Sequence, residues 1–324
     1  MRALIGLIVG AAVFASGTSH AQTAGDYPNK PVRLLVPYAP GGPADLIARI
    51  IGQKFTEAFG KQFYVETQPG GGGNIGTAAL ARAPADGYSL LVNSQALVIN
   101  ASLYKSLPYD PEKDLVAITR IATTPNVLIV NPSVPAKTVK ELVDLMRANP
   151  DKYHSYAHPG LGTPANLSGE LFKLSQKISL TSIPFGGGGP LAQSVLAGHT
   201  PVSFASLPPS VVHIQSGGIR GLAVTGEKRV EGLPNVPTME EAGFPGQIGE
   251  TPIGILAPAG TPKEIVDLLH RKAVEIVAMP DVKAKLAAIG FSPIGDTPAQ
   301  FAAYLKAENV KWARVIREAG LKIN

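Results

Sequence analysis

The amino-acid sequence predicts an α/β fold built as two lobes, each a mainly parallel sheet flanked by helices. Short apolar runs alternate with amphipathic helix patterns along almost the whole chain, which is typical of such sheets. The 324 residues are enough for two domains of ordinary size, yet no low-complexity linker separates two halves. We therefore expect the chain to cross between the lobes more than once.

The first 21 residues have the pattern of a cleaved signal peptide. Arg2 supplies a positive start, residues 3–15 are apolar, and Ser19-His20-Ala21 fits a small-residue cleavage site. A membrane anchor is the alternative, but this run falls short of the roughly 18 apolar residues that a membrane helix needs. The sequence has no cysteine, so no lipid can be attached at the cleavage point and no disulfide can form. We expect a soluble exported protein, cleaved after Ala21.

The strands and helices follow from the spacing of apolar residues. Runs of three to five mainly aliphatic residues bounded by turn residues predict strands at 32–36, 63–65, 90–92, 127–130, 183–185, 202–204, 222–224 and 253–256. Apolar residues at helical spacing predict helices at 44–59, 77–83, 139–148, 164–174, 262–279 and 298–319. Pro and Gly interrupt the alternation of strands and helices at 122–126 and 246–252, where we expect the chain to cross between the lobes. The first lobe would then comprise 28–124 and 250–324, and the second 125–249.

Composition and charge argue against several classes of partner. The formal net charge is +5, but the basic residues are spread along the chain and aromatic residues make up 6%, which argues against a nucleic-acid surface. His154 and His158 are four residues apart, but the Pro and Gly in "HSYAHPGLG" prevent one helix face from presenting both to a metal. We expect no metal site and read these histidines as loop or hydrogen-bonding residues.

Glycine-rich motifs raise the possibility of a nucleotide cofactor. Residues 71–76 fit G-x-G-x-x-G, and 160–165 and 187–192 are relaxed copies. The acidic residue that would bind ribose is missing, because the next strand ends in "VNSQ" at 92–95. Residues 221–228 nearly match a P-loop, but Glu227 precedes the lysine and Arg229 replaces Ser or Thr. We expect no cofactor, and a strand followed by a turn at 221–228.

No catalytic arrangement stands out either. The chain has no G-x-S-x-G elbow, and without cysteine it has no thiol nucleophile. We therefore name no catalytic residue. An α/β enzyme remains the alternative from another class, and it would need a base or a cofactor that the motifs do not supply.

Glycine turns that lead into helices recur four times, at 40–43, 70–76, 159–164 and 186–190. In "VPYAPGGPADLIAR", residues 36–49, the strand breaks into a Pro- and Gly-rich turn and a helix follows at once. Backbone N–H groups at a helix start bind anions, aided by the helix dipole. Two such turns from facing lobes would hold the ends of one anion. We expect Asp45 to cap the first helix rather than act as a base.

Six ordered segments carry a family resemblance across essentially the whole mature chain. They are "YPNKPVRLLVPYAPGGPADLIAR", "QPGGGGNIGTAALARAPADGYSLL", "LPYDPEKDL", "GLAVTGEKR", "LPNVPTMEEAGFPG" and "ILAPAGTPKEIVDLLH". The chain resembles the Bug, or TctC-like, family, the extracytoplasmic receptors of tripartite tricarboxylate transporters in Gram-negative bacteria. The resemblance implies a two-lobed periplasmic binding protein fold, type II-like, with a ligand cleft between the lobes.

The resemblance also implies a function and a site. We expect a monomeric periplasmic receptor that captures a mono- or dicarboxylate, possibly aromatic, and delivers it to the transporter's membrane subunits. The alternative within the binding class is a sensor that signals to a two-component system. The expected ligand-binding residues are Tyr38, Ala39, Pro40, Gly41, Gly42, Asn74, Ser94, Gln95, Pro159, Gly160, Gly162, Thr163, Phe185, Gly186, Phe204, Ala205 and Ser206.

The second lobe departs from the family pattern at several positions. Asn166 stands where members commonly have His, and Gln193-Ser194 replaces a Thr-Asp pair. Phe185-Gly186-Gly187 replaces a Tyr, Lys or Arg, Gly turn, and His199-Thr200-Pro201 ends a turn that usually closes with Asp. These departures remove charged groups, so they affect the identity of the ligand rather than the fold. We expect Phe185 and Phe204 to offer apolar surface to an aromatic carboxylate.

Overall fold

The computed structural model describes residues 27–318 and 320–321. The predicted signal peptide and its cleavage site lie outside the described residues. Within the described part, no helix is long and apolar enough to cross a membrane.

The described residues form ten strands, and the two lobes are built around them. They are β1 Val32–Val36, β2 Phe63–Thr67, β3 Ser89–Ser94, β4 Leu115–Val130, β5 Ser155–His158, β6 Thr181–Pro184, β7 Val202–Ser206, β8 Arg220–Val224, β9 Glu250–Pro258 and β10 Ser292–Pro293. All eight predicted strands coincide with or overlap one of these. The short β5 was not predicted, because the Pro and Gly that follow it favoured a loop over the whole segment.

Within the part of the chain that the structure describes, ten α-helices cover the sheet. They are α1 Pro43–Phe59, α2 Asn74–Ala81, α3 Ala96–Leu103, α4 Val139–Ala148, α5 Pro164–Gln176, α6 Gly188–Leu196, α7 Val211–Gln215, α8 Lys263–Ala278, α9 Pro280–Ala288 and α10 Pro298–Glu318. Helix α1 shows why such segments form where they do. Pro43 presets the first turn, and Gly60 ends the helix in the left-handed conformation at φ 65°.

The sheet order is β2-β1-β3-β9-β4-β7-β5-β6, with β8 and β10 also paired to β4. The outer pairs are parallel: β1 with β2 and β3, and β5 with β6 and β7. The central pairs are antiparallel, because β9 runs back along both β3 and β4, and β4 also pairs antiparallel with β7, β8 and β10. The expectation of mainly parallel sheets therefore holds only for the outer strands of each lobe.

The crossings lie inside strands rather than in Pro- and Gly-rich loops. Strand β4 runs without interruption through 122–126, and its first part pairs with β9 while its end pairs with β7 and β8. Thr123 is opposite Pro252 and Thr124 is opposite Thr251, so the two crossings are hydrogen-bonded to each other. Pro125 is tolerated in β4 at the point where its pairing changes from β9 to the second lobe.

Separate hydrophobic clusters fill the two halves. Ile47, Leu90 and Ile255 belong to a cluster between β1, β3, β9 and the helices α1 and α8, whereas Leu128 and Phe172 belong to one in the other half. This supports the division into 28–124 with 250–324 and 125–249, which we retain as a proposal.

The strand predicted at 183–185 was expected to be buried, and this is wrong. It forms part of β6, which lies at the edge of the sheet, and Ile183 is 38% exposed.

The glycine motifs are parts of ordinary elements. Residues 221–228 form the end of β8 and a turn, and Arg229 beyond it pairs with Glu241 at 2.8 Å. Residues 71–76 form a short 3-10 turn, Gly71–Gly73, that leads into α2.

Candidate functional site

Three helix starts meet at one small cavity between the halves, which we call the inner cavity. Helix α1 begins after Gly42, α5 after Thr163 and α6 after Gly187, and all three residues line it. Its volume is about 40 Å³, room for a compact polar group. The lining residues are Tyr38, Gly42, Pro43, Ala44, Ser94, Pro159, Thr163, Pro164, Gly187, Gly188, Ser206, Thr251 and Ile253. Since helix starts carry partial positive charge, this cavity favours an anion.

A wider outer cavity of about 610 Å³ shares Tyr38, Pro159 and Thr163 with the inner one. Its walls are mainly prolines, glycines and apolar side chains. The other lining residues are Pro37, Ala39, Pro69, Gly70, Gly71, Gly72, Gly73, Tyr104, Gly160, Leu161, Pro184, Phe185, Gly186 and Pro190. Among the described residues, no Asp, Glu, Lys, Arg or His lines either cavity. The site therefore offers an anion neutral donors rather than cationic side chains.

The loops around the cavities bring the two halves into contact. A Cβ on Gly187 would lie 3.1 Å from Cβ of Ala39, and one on Gly189 would lie 3.0 Å from the carbonyl oxygen of Pro40. On the other side, a Cβ on Gly72 would lie 2.7 Å from the carbonyl oxygen of Leu161. Glycine is needed at these positions because the backbones approach this closely. The protein is therefore in a closed arrangement.

The turn before α1 is held by Asp45. This carboxylate is 2% exposed, and its Oδ2 accepts hydrogen bonds from the Gly41 N–H at 2.9 Å and from Arg49 Nε at 3.0 Å. Asp45 was expected to cap the start of α1. It does so by accepting a hydrogen bond from the turn that precedes the helix. The Gly41 N–H is already used within the loop, which corrects the expectation that it meets the anion. Gly42 and Ala44 line the inner cavity instead.

The turn before α5 is held in the same way by neutral groups. Gly160 N–H donates to Nδ1 of His158 at 3.2 Å, and Gly162 N–H donates to Oδ1 of Asn166 at 3.1 Å. Burial lowers the pKa of His158 to about 4, and the positive charge of Lys173 acts in the same direction. His158 is therefore a neutral hydrogen-bonding residue, as the sequence suggested, and Nε2 contacts Ser182 Oγ at 2.8 Å. Asn166, which replaces the family's common His, fixes Gly162.

The hydroxyl of Tyr38 stays protonated in this environment. It donates to Oδ1 of Asn93 at 2.8 Å and contacts Ser94 Oγ at 3.3 Å. Burial is the main cause that raises the pKa of Tyr38 to about 12, with the Ser94 contact lowering it and Tyr104 raising it. Tyr38 can therefore form hydrogen bonds with a ligand but does not act as a base near neutral pH.

Most of the predicted site residues come together at the two cavities. Tyr38, Gly42, Ser94, Pro159, Thr163 and Ser206 line the inner cavity. Ala39, Gly160, Phe185 and Gly186 line the outer cavity. Three predicted residues lie in the same loops but do not line either cavity. Pro40 and Gly41 contact Gly189, and Gly162 contacts Asn100.

Four predicted residues face elsewhere. Asn74 Oδ1 accepts hydrogen bonds from Asn100 and Tyr109, and Gln95 Nε2 donates to the Glu250 carbonyl. Phe204 packs in the core with Tyr156 and Phe172, and Ala205 packs in another cluster on the opposite face of β7. The expectation that Phe204 offers apolar surface to a ligand is therefore corrected, because its ring is buried against Tyr156 and Phe172. Phe185, in contrast, lines the outer cavity.

The sequence reasoning missed Thr251 and Ile253, which line the inner cavity from β9. Their spacing of two places them on one face of the strand. The only sequence signal was their position beside a predicted crossing. Gly187 and Gly188 fall in the turn at 186–190, which was singled out as a glycine turn leading into a helix, but of that turn only Gly186 was named as a site residue.

A metal is not indicated by the side-chain clusters. Within 27–318 and 320–321, no three His, Cys, Asp or Glu side chains lie close enough together to hold an ion. His154 Nδ1 contacts the carbonyl of Asp151 at 2.9 Å, apart from His158.

Comparisons with known proteins agree with this architecture. The model of the tripartite tricarboxylate transporter family receptor, TctC, matches residues 47–321. The structure of the periplasmic binding protein BugD has a TM-score of 0.87 with this chain at 32% identity, covering 91% of this chain and 99% of BugD. An R. palustris protein solved with adipate gives a TM-score of 0.87 at 32% identity, covering 92% of this chain and 99% of that one.

A further solved structure, MatC from Rhodopseudomonas palustris with bound malate, has a TM-score of 0.84 at 28% identity and covers 90% of this chain and 100% of MatC. The family match and the similarity in fold extend over most of the chain. The chain therefore belongs to the tripartite tricarboxylate transporter receptor family and has the fold of its periplasmic binding proteins.

Proposed function

We propose that this protein is a periplasmic receptor that encloses a small organic carboxylate between its two lobes and releases it unchanged. The observation that carries the proposal is the meeting of three helix starts at a small cavity between the lobes that no charged side chain lines among the described residues. Backbone N–H groups at these starts would hold the carboxylate, and closure would exclude water and strengthen each hydrogen bond.

Two solved relatives support a carboxylate as the ligand class, since one contains adipate and the other malate. The proposed contacts are Tyr38, Gly42, Ser94, Pro159, Thr163 and Ser206 around the carboxylate, with Ala39, Gly160, Phe185 and Gly186 along the rest of the ligand. The first six surround a space that fits one carboxylate group. The outer cavity has room for the remaining carbon skeleton.

The proposal includes delivery of the ligand to the membrane subunits of a tripartite tricarboxylate transporter. Membership of the receptor family supports this partner, and the signal-peptide pattern of residues 1–21 supports a periplasmic location. The protein would act as a monomer and catalyse no reaction. The protonated state of Tyr38 and the loop-holding role of His158 fit a site that holds a ligand without removing its proton.

A thermal-shift screen of carboxylates against their neutral amides tests the ligand class. A carboxylate present at 100 times its Kd should stabilise the folded protein by about 2.7 kcal/mol, and the amide should have no effect. Equal stabilisation by acid and amide, or no stabilisation by any carboxylate, would contradict the proposal.

A further inference from the structure

One buried side chain at the contact between the lobes has an oxygen that receives no hydrogen bond. Asn100 lies in α3 of the first lobe and is 1% exposed. Its Oδ1 has no hydrogen-bond donor among residues 27–318 and 320–321. The oxygen faces the backbone of Gly162 in the second lobe, where an added Cβ would overlap it. The contact between the lobes therefore buries a strong acceptor without a partner.

Gly162 has no N–H to offer this oxygen. Its N–H donates to Oδ1 of Asn166 at 3.1 Å, which holds the turn before α5. What remains is the Cα–H of Gly162, and a Cα–H forms a much weaker hydrogen bond to oxygen than an N–H does. Water is a better partner, and the oxygen of Asn100 can bind it only while the lobes are apart.

The amide of Asn100 cannot turn round to relieve this. Its Nδ2 donates to the Gly72 carbonyl at 3.1 Å and to Oδ1 of Asn74 at 2.8 Å. A flipped amide would place its oxygen against the Gly72 carbonyl, which can only accept. Both hydrogen bonds of Nδ2 join residues of the first lobe, so they are kept whether the lobes are open or closed. Only the hydrogen bonding of Oδ1 changes with closure.

We propose that Asn100 opposes closure of the empty protein and so makes closure depend on the ligand. This inference rests on the proposed function and concerns how its closure is controlled. Each closing step removes water from Oδ1 and supplies no donor in return, so the contacts of the ligand with both lobes must offset the loss. Asn100 thus sets the affinity for the ligand although it lines neither cavity.

Single-molecule energy transfer between dyes on the two lobes measures the closed fraction without any ligand. The sequence has no cysteine, so a pair of introduced cysteines can be labelled specifically. Lys263→Cys in the first lobe and Lys140→Cys in the second suit this purpose, because these side chains are 82% and 78% exposed. We expect Asn100→Ala to raise the closed-to-open ratio of the empty protein by at least about fivefold, the lower end of the cost of an unsatisfied buried acceptor.

The affinity should change in the same direction. Because the apparent affinity rises with the fraction of the protein that is already closed, Asn100→Ala should bind malate or adipate, whichever the wild type binds, more tightly than the wild type does. A merely structural role predicts the reverse, since the loss of the Nδ2 hydrogen bond to Gly72 would loosen the turn at 70–73 and weaken binding.

Two further variants separate closure from folding. Tyr109→Phe is the matched control, because the Tyr109 hydroxyl also donates to Oδ1 of Asn74, at 2.9 Å, but within the first lobe. It should lower the stability and leave the closed fraction unchanged. Asn100→Ser has a side chain one atom shorter, whose hydroxyl can bond to the Ala96 carbonyl in the preceding turn of α3. It should shift closure in the same direction as Asn100→Ala, and it decides the matter if the alanine variant does not fold.

The outcomes separate this inference from the function on which it rests. An unchanged or lower closed-to-open ratio in the Asn100 variants would overturn it, and so would an equal rise in Tyr109→Phe. If no carboxylate binds, the proposed function fails, while the closed fraction of the empty protein still decides the role of Asn100.

Discussion

Asp45 links the first glycine turn to the helix that follows it. Its buried carboxylate accepts the Gly41 N–H and pairs with Arg49, whose Nη2 lies 2.9 Å from Oδ1. The sequence predicted the capping role from position alone. It could not predict that the partner is Gly41, because that depends on how the turn folds back over the helix start.

Asp45→Asn should therefore destabilise the protein by about 1–3 kcal/mol, the range for losing hydrogen bonds to a buried charged group. Denaturant unfolding measures the change. The matched control is Asp144→Asn, which removes an exposed pair with Lys140 and should cost only about 0.3–0.5 kcal/mol. Equal losses for the two variants would show that burial of Asp45 contributes nothing.

At the scale of elements, the turn between β5 and α5 depends on a neutral histidine. The folded state binds a proton at His158 only near pH 4, whereas the unfolded chain binds it near the ordinary histidine pKa of 6.5. Because the unfolded state binds more protons between these values, stability should fall as the pH falls from about 6.5 to about 4. The full contribution of this one group is about 3 kcal/mol.

Denaturant unfolding at several pH values between 7.5 and 4 tests this sign. His158→Gln, which cannot titrate, should flatten the fall in stability over this range, and the control His199→Gln, at an exposed position, should leave it unchanged. A wild-type slope in the His158→Gln variant would refute the role given to this residue.

The elements also show how far the sequence could predict the fold. Short apolar runs and helical spacing located β1, α4 and α10 within one residue, since local pattern decides such segments. The direction of the central strands was not predictable in this way. That β9 returns antiparallel beside β4 depends on pairing between residues more than 100 positions apart, such as Thr124 and Thr251. The position of Phe204 was mispredicted for a similar reason, because its burial depends on packing against Tyr156 and Phe172, which are distant in the sequence.

For the whole molecule, the close approach of the lobes depends on glycines in facing loops. A Cβ on Gly162, at φ +74°, would overlap Oδ1 of Asn100 and lie 2.8 Å from Cδ1 of Leu103, both in the other lobe. Gly162→Ala should thus hinder closure and weaken carboxylate binding at least tenfold. Solution scattering should show that the ligand no longer reduces its radius of gyration, as we expect it to do for the wild type.

Gly217→Ala is the control for backbone strain. Gly217 has a similar φ of +76°, but a Cβ there meets nothing within 4 Å. The two variants should lose comparable stability, and only Gly162→Ala should lose affinity. Loss of affinity in both would mean that strain, rather than obstructed closure, explains the effect.

The central claim is that a carboxylate is held between the lobes by the neutral starts of α1, α5 and α6. The most direct measurement is a crystal structure of the protein with the carboxylate that stabilises it most in the thermal-shift screen. The account predicts a carboxylate in the inner cavity, within about 3.2 Å of backbone N–H groups from both lobes. A carboxylate paired with a Lys or Arg side chain, or bound by one lobe alone, would contradict it.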